Sequence, residues 1–302
     1  MMLGATLYAP ATRRSAVMAL VRGEVQGLAA GVICLEDAVR DDEVEAAAAT
    51  LPILLAAATD QAPPLYVRFR EPDLLRRLAD LGALGAVRGI VAPKVDAATL
   101  PGWLEAAADA RLSVMPTIET AIAFDAAQLG EVRAMLLETP ATIDMVRIGG
   151  NDLLALLNAR RSPRYTAYEG PLGGVIGSIV TQFIPAGFPV SAPVFEHFLS
   201  DSLLADEFDR DIDHGMFNKT IIHPRQAMVI NRGLMVGEFE LAEAHALLRP
   251  EADGVFSVNG SMCEPKTHSP WAETILRRAE RFGVRGADDT APVSGPDVRL
   301  TA

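Results

Sequence analysis

Short apolar runs alternate with alanine- and leucine-rich segments along most of this chain, and this alternation limits the folds open to it. The apolar runs have the length and composition of buried parallel strands, and the segments between them have the composition of helices. Eight such runs are present, at residues 5–10, 32–38, 65–69, 89–95, 113–119, 145–150, 190–195 and 218–223. Eight strands in this alternation predict a closed (β/α)8 barrel.

Helical segments fill the intervals and continue beyond the eighth run. The predicted helices include 15–27, 41–58, 72–81, 122–137 and 203–213, and after the barrel 225–234, 238–248 and 271–282, with a turn-rich stretch at 255–262. We therefore expect a barrel over 1–234, a C-terminal helical cap or oligomer arm over 235–284, and a flexible tail over 285–302 that is rich in Gly, Pro, Asp and Ser.

Composition and charge exclude several kinds of protein. The 302 residues are 50% hydrophobic and 22% charged, which suits a packed globule. A net charge of −12 argues against a nucleic-acid partner. The two cysteines fit neither a metal motif nor a disulfide framework, and no secretory signal is visible, so we expect a cytoplasmic protein. The longest uncharged stretch, 170–195, holds five glycines and four prolines, which favours loop, buried helix and strand over a membrane span.

Ionisable side chains gather at the C-terminal ends of the predicted strands. The active sites of such barrels lie there, because the loops at that end converge on one mouth. Charge kept only for solubility would spread over the helices instead. The candidates are Glu36 and Asp37, Arg68 and Arg70, Lys94, Glu119, Asp152 and His223.

Two carboxylates follow the neighbouring fifth and sixth strands, Glu119 in TIET and Asp152 in IGGND. Mg²⁺ prefers oxygen ligands and needs only one or two protein carboxylates, so this pair predicts a divalent cation site. Gly149 and Gly150 let the backbone approach a ligand closely, with N–H groups free to hold an anionic oxygen. The alternative is that Asp152 only caps the next helix.

The second and third strands end in charged residues of opposite sign. Arg68 lies in an apolar strand, where a guanidinium needs a carboxylate partner or an anionic ligand. Arg70, one step past the strand, is interpreted as a solvated loop residue. Because neighbouring strand residues point to opposite sides, we expect only one of Glu36 and Asp37 to face the lumen. Alternatively, both begin the next helix at its positive end.

Lysine and histidine at two other strand ends leave both interpretations open. Lys94 and Lys219 could form a Schiff base or bind a carboxylate, or they are solvated strand-end ammonium groups. His223, directly before a proline, could contact substrate or hydrogen-bond the loop that it ends.

Taken together, these motifs resemble the citrate lyase β-subunit and HpcH/HpaI aldolase family of metal-dependent carbon–carbon lyases. LYAPATR, CLEDAV and VRFR resemble the family's opening strand, its LEDAV motif and its VRVN; APK, TIET and IGGND resemble its PK, IET and GxxD segments; KTIIHPRQAMVIN and NGSMCEP resemble its GKxxIHPxQ and dGkmid-P segments. The resemblance covers residues 5–282 and is strongest to a divergent lyase-like branch associated with bacterial stress-response operons.

The resemblance implies a metal-assisted cleavage. Glu119 and Asp152 would ligate Mg²⁺, or Mn²⁺; Arg68 would bind the reacting carbonyl or enolate; and Glu36 and Asp37 would order metal-bound waters and the arginine. The candidate substrate-binding residues are Arg13, Lys94, Gly149, Gly150, Asn151 and His223. A 3-hydroxy acid or its acyl thioester would be cleaved through an enolate, releasing or using a 2-oxo acid such as oxaloacetate, pyruvate or glyoxylate. A dication and a guanidinium beside the developing negative charge lower that barrier.

The resemblance also implies a homo-oligomer, a trimer or a hexamer, and we expect no membrane partner. The chain departs from the family at Ala11, where glycine is usual, at Arg70, where the family has Asn, and at Gly150-Asn151, where a small residue and Glu are common. Two other functions stay open. The barrel could bind a phosphorylated or phosphoribosyl compound through Arg160, Arg161 and Arg164, or it could be a non-catalytic scaffold in a stress-response complex.

Overall fold

The computed structural model describes residues 3–286, and eight parallel strands close there into a barrel in chain order. The strands are β1 (Gly4–Pro10), β2 (Leu28–Cys34), β3 (Leu65–Arg68), β4 (Gly89–Ala92), β5 (Ser113–Ile118), β6 (Val146–Ile148), β7 (Val190–Ala192) and β8 (Asn218–Ile221). The closure pairs β1 with β8 in parallel, from Gly4 opposite Asn218 to Leu7 opposite Ile221. The predicted (β/α)8 barrel is confirmed.

Helices follow the strands and cover the barrel. They are α1 (Arg14–Val21), α2 (Val44–Leu55), α3 (Pro72–Asp80), α4 (Leu100–Asp109), α5 (Ala126–Glu138), α6 (Gly150–Leu156), α7 (Leu172–Phe183), α8 (Asp201–Asp213) and α9 (Arg225–Leu234), with 3₁₀ turns at Asp41–Glu43, Ala121–Phe124 and Ala167–Glu169. The uncharged stretch 170–195 contains α7 and β7. Within residues 3–286, no helix is long and apolar enough to span a membrane.

Strand β2 lies four residues nearer the N-terminus than we predicted. It runs over Leu28–Cys34, whereas we expected 32–38. The segment that we missed, LAAG, has small residues of low strand propensity. A Cβ at Gly31 would lie 2.6 Å from Cδ1 of Leu20, so packing of α1 on β2 requires glycine there. Tertiary packing therefore sets this strand, and its end at Cys34 leaves the following acids in a loop.

The chain divides into two compact units after Ile230. In the second unit, strand β9 (Val236–Gly237), helix α10 (Glu238–Leu247), the antiparallel pair β10 (Phe256–Val258) and β11 (Ser261–Cys263), and helix α11 (Pro265–Phe282) are followed by β12 (Val284–Arg285), which pairs with β9. The predicted flexible tail, 285–302, begins in β12, and from residue 287 it lies outside the described residues.

A buried ionic cluster joins β8 to α8 on the outside of the barrel. Lys219 is fully buried, and its Nζ donates to Glu207 Oε1 at 2.8 Å and to Asp211 Oδ2 at 2.6 Å. Arg161 also contacts Glu207, and the Tyr168 hydroxyl donates to Asp211 at 2.5 Å. Lys219 is therefore neither a solvated strand end nor part of the mouth.

We predict that Lys219→Met lowers the free energy of unfolding by about 3–5 kcal/mol, because it leaves the buried Asp211 carboxylate without its cation and Glu207 with Arg161 alone. Urea denaturation measures this change. The control is Arg77→Met, since Arg77 and Glu45 form an exposed pair at 2.9 Å, whose loss costs less than about 1 kcal/mol. Equal costs for the two variants would contradict the prediction.

Candidate active site

Arg68, the last residue of β3, holds carboxylates from two other strand ends. Its Nη2 contacts Glu36 Oε2 at 2.7 Å and Asp37 Oδ2 at 3.2 Å, both from the loop after β2. The same atom donates to Glu119 Oε1 at 3.0 Å, just after β5. The predicted partner of this buried guanidinium is therefore a set of three carboxylates at the barrel mouth.

Lys94, just after β4, contributes twice to the same cluster. Its backbone N–H donates to Glu119 Oε1 at 2.8 Å. Its Nζ contacts Glu36 and also Asp37 Oδ1 at 2.9 Å, and lies 4.0 Å from Asp152 Oδ1. A φ of +50° places Lys94 in the left-handed region, a conformation that non-glycine residues adopt rarely and often at functional sites.

The expectation that Glu36 and Asp37 serve different sides is wrong. Both contact Arg68, and both contact Lys94. Strand alternation does not apply to them because β2 ends at Cys34. They also do not begin the next helix, since the 3₁₀ turn starts only at Asp41.

The two carboxylate oxygens of Glu119 have different surroundings. Oε1 accepts from Arg68 and from the Lys94 backbone, whereas Oε2 is buried and has no hydrogen-bond partner in the described chain. Burial raises the pKa of this carboxyl, Arg68 lowers it and Asp152 raises it, and the result is a pKa of about 7. The space beside Oε2 exists because residue 149 is glycine, where a Cβ would overlap the Glu119 side chain.

Asp152 lies in the first turn of α6. Burial and then the charge of Asp37 raise the pKa of its carboxyl. A cation between Asp152 and the unpartnered oxygen of Glu119 would stabilise the ionised form of both carboxyl groups. Within residues 3–286, no group of three or more His, Cys, Asp and Glu side chains is arranged as a metal site. The two carboxylates of Glu119 and Asp152 fit an ion that accepts two protein carboxylates and completes its shell with other oxygens, as Mg²⁺ does.

The other predicted substrate-binding residues lie outside this cluster of contacts. Gly150 is buried and begins α6, and Asn151 is exposed beside it. Arg13 precedes α1, and its exposed side chain has no ion-pair partner among residues 3–286. His223 stacks on Phe198 at 5.2 Å and accepts a hydrogen bond at Nδ1 from the backbone of Arg225. A substrate role for these residues stays a prediction.

Two further arginines, Arg70 and Arg161, bind groups of the protein itself. Arg70 pairs with Asp41 and donates to the backbone carbonyls of Glu36 and Val39, at 3.3 and 2.9 Å. It is therefore not only a solvated loop residue, because it fixes the loop that carries Glu36. Arg161 is buried against Glu207, which leaves it unsuited to hold a phosphate as the alternative function required.

Arg147 in β6 is a buried arginine to which we assigned no role from the sequence. It is 2% exposed and lies inside the barrel, one strand from Glu119. The signal was present in MVRIGG, since a guanidinium in an apolar strand is as unusual there as at Arg68.

Comparison with known proteins identifies the family. The family model described as "C-C_Bond_Lyase of the TIM-Barrel fold" matches residues 1–284. The chain belongs to this family of carbon–carbon bond lyases. The resemblance to citrate lyase β-subunits is confirmed, and the family places this lyase among enzymes rather than scaffolds.

Two kinds of relative support this membership. A (3S)-malyl-CoA thioesterase from Cereibacter sphaeroides is 30% identical over 284 residues, covering 91% of this chain and 93% of the relative. CitE from Mycobacterium tuberculosis, solved with magnesium, acetoacetate and coenzyme A, has a TM-score of 0.72 at 24% identity and covers 93% of this lyase and 99% of that chain. RipC from Yersinia pestis has a TM-score of 0.60 at 23% identity, covering 76% and 94%. The two structures show the shared fold.

We predict that Gly149→Ala displaces the Glu119 carboxylate and destabilises the protein by about 1–3 kcal/mol, the usual cost of overpacking. Thermal unfolding measures the effect. Gly174→Ala is the matched control, because a Cβ there meets nothing within 4 Å and the residue is helical. We expect that variant to be as stable as the parent or more so, and an equal loss in both would exclude the crowding at Gly149.

Proposed function

We propose that this enzyme is a Mg²⁺-dependent lyase that cleaves a 3-hydroxy acid or its acyl thioester and releases a 2-oxo acid; Mn²⁺ is the alternative ion. The observation that carries the proposal is the difference between the two oxygens of Glu119. Oε1 accepts hydrogen bonds from Arg68 and the Lys94 backbone amide, whereas the buried Oε2 has no hydrogen-bond partner among residues 3–286. Glu119 Oε2 and Asp152 would hold the ion. The magnesium complexes of the related CitE support this assignment.

Cleavage breaks the bond between the hydroxyl-bearing carbon and the carbon next to the thioester carbonyl. The electron pair stays on the latter carbon and spreads onto the carbonyl oxygen as an enolate, while the hydroxyl loses its proton and becomes the keto group of the 2-oxo acid. Protonation of the enolate carbon completes the acyl thioester. Bound Mg²⁺ supplies electrostatic stabilisation of negative charge on substrate oxygens.

Arg68 is the protein group placed to stabilise the enolate. Its buried Nε–H finds no hydrogen-bond partner in the part of the chain that the structure describes, while its Nη2 is fixed by Glu36, Asp37 and Glu119. A donor held in place before the reaction costs no reorganisation when charge develops, which is the basis of electrostatic catalysis. Lys94 offsets part of the negative charge of Glu36 and Asp37, the two acids that orient Arg68.

Thioester hydrolysis is a second candidate, because the relative at 30% identity is named a (3S)-malyl-CoA thioesterase. In that reaction water attacks the thioester carbonyl and the carbon–sulfur bond breaks instead. The two reactions differ in product: cleavage releases a 2-oxo acid and leaves the thioester intact, and hydrolysis releases a free thiol.

The deciding assay incubates the enzyme with 3-hydroxyacyl-CoA thioesters that include (3S)-malyl-CoA, and follows 2-oxo acid and free thiol separately. We expect 2-oxo acid release that EDTA abolishes and Mg²⁺ or Mn²⁺ restores. Glu119→Gln and Arg68→Met should each lower the rate by roughly 10²–10³-fold, the usual effect of removing one stabilising group. Arg76→Gln, on the exposed face of α3, is the control for charge loss. Thiol release without 2-oxo acid would favour the hydrolase, and full activity of both site variants would reject the site.

We further propose that the enzyme is a trimer or hexamer. Exposed apolar side chains support association, among them Leu199 and Phe239, which are 73% and 72% exposed. Light scattering on the purified protein should give three or six times the chain mass of 32.2 kDa. A mass of 32.2 kDa at micromolar concentration would contradict this.

A further inference from the structure

Polar side chains line one side of the barrel interior below the candidate active site. Side-chain hydrogen bonds join Thr6 in β1 and Ser191 in β7 to Asn218 in β8. The Arg147 side chain in β6 donates another hydrogen bond to Thr220 in β8, which is not its neighbouring strand because β7 lies between them. We call this set the polar wall. The interior on the side of β2 to β5 is instead apolar and includes Val32, Tyr66, Val91 and Met115.

The polar wall contains a cation without a carboxylate. The Nη1 of Arg147 faces the sulfur atoms of Met115 and Met145 at 3.6 and 3.9 Å, and its Cζ lies 5.3 Å from the centre of the Tyr8 ring. No carboxylate oxygen of residues 3–286 lies within 4.0 Å of this guanidinium. Burying a charge without a counter-charge is costly, so its retention calls for an anion.

Two further buried polar atoms inside the barrel have no hydrogen-bond partner in the described chain: Asn218 Nδ2, which is a donor, and Thr117 Oγ1, which can donate or accept. Thr117 is the register partner of Arg147 across β5 and β6. The guanidinium and the Asn218 amide are therefore donors that an acceptor would satisfy, and the Thr117 hydroxyl can donate as well.

Two residues that contact the guanidinium are partly exposed. Thr220 and Tyr8 are half-buried, whereas Arg147 itself is 2% exposed. Arg147 precedes Gly149 by two residues, and Thr117 precedes Glu119 by two. At roughly 3.3 Å of rise per strand residue, the wall begins ~7 Å below the proposed metal site.

We propose that Arg147 and Thr220 form a carboxylate subsite at the floor of the active site, which selects dicarboxylic hydroxy or oxo acids over monocarboxylic ones. The proposal rests on the proposed function, because the ligand's other carboxylate and its hydroxyl or keto oxygen would lie at Glu119, Asp152 and Arg68. Bidentate recognition of carboxylate is the chemistry for which a guanidinium is suited.

Calorimetric titration with two matched ligands tests the subsite. (S)-Malate and (S)-lactate share the 2-hydroxy acid group, and only malate carries a second carboxylate. In the presence of Mg²⁺, we expect the parent protein to bind malate roughly ten- to hundred-fold more tightly than lactate, the range for a charge-assisted hydrogen bond. Arg147→Met should remove that preference and leave lactate binding unchanged. Arg147→Lys should restore part of it, because the charge returns without the fork.

Arg88→Met is the matched control. Arg88 pairs with Asp144 at 3.1 Å, away from the polar wall, and its loss should leave the malate preference intact. A preference retained by Arg147→Met, or absent from the parent, would overturn the proposal. Added chloride is a further arm: if it abolishes the preference in the parent, the subsite takes an inorganic anion and the proposal is also overturned.

Thermal unfolding separates the subsite from a structural role. Without ligand, Arg147→Met should unfold at the same temperature as the parent or higher, since a buried unpaired charge is removed. A lower unfolding temperature together with an unchanged malate preference would assign Arg147 to structure alone. Thr220→Val provides a second, milder variant, in which the malate preference should fall with the fold preserved.

The proposed function and the subsite can fail separately. If no thioester is cleaved and the malate preference depends on Arg147, the proposed function fails and the subsite stands. If cleavage is observed and malate and lactate bind alike, the subsite fails and the proposed function stands.

Discussion

The ion cluster around Arg68 is the interaction on which the candidate site depends. One guanidinium at the end of β3 contacts acids that follow β2 and β5, so three strand ends are tied at one point. Removing these charges from water costs several kcal/mol each unless they are paired. Pairing fixes Glu119 Oε1 and thereby directs Oε2 away from the cations. Four carboxylates, with Asp152, face two cations, Arg68 and Lys94. When all four are ionised, the excess of two negative charges equals the charge of a divalent ion, which would favour the ionised form of Glu119.

The barrel and most residues of this cluster could be predicted from the sequence, for a physical reason. Strands buried on both faces are short, nearly continuous apolar runs, so their ends and any charge there can be located. Arg68, Lys94, Glu119 and Asp152 were found in this way. The boundaries of β2 were not, because Leu28–Cys34 is held by packing of its small residues under α1 rather than by strand propensity. That error produced the wrong expectation for Glu36 and Asp37.

Residue type alone did not separate the functional cations from the structural ones. Lys219 and Arg147 both lie within barrel strands, as Arg68 does. Along β8, Asn218 and Thr220 bond to side chains inside the barrel, whereas Lys219 between them contacts α8. A strand side chain that points out of the barrel can therefore pair with a carboxylate on a helix, and one that points inward faces the barrel interior. A shift of one residue in register exchanges these faces, which a single sequence does not resolve.

Arg70 shows how a departure from the family pattern is absorbed by the fold. It stands where the family has Asn, and its guanidinium binds Asp41 and two carbonyls of the loop that carries Glu36. Arg70 therefore fixes the position of Glu36, which is one of the carboxylates that bind Arg68. The interior on the β6 to β8 side differs, because Arg147 has no carboxylate among residues 3–286. The acidic groups Glu119 and Asp152 lie at the mouth and the cation Arg147 lies deeper in the barrel. In the proposed subsite, this arrangement orients a ligand with its metal-chelating end at the mouth and its second carboxylate at Arg147.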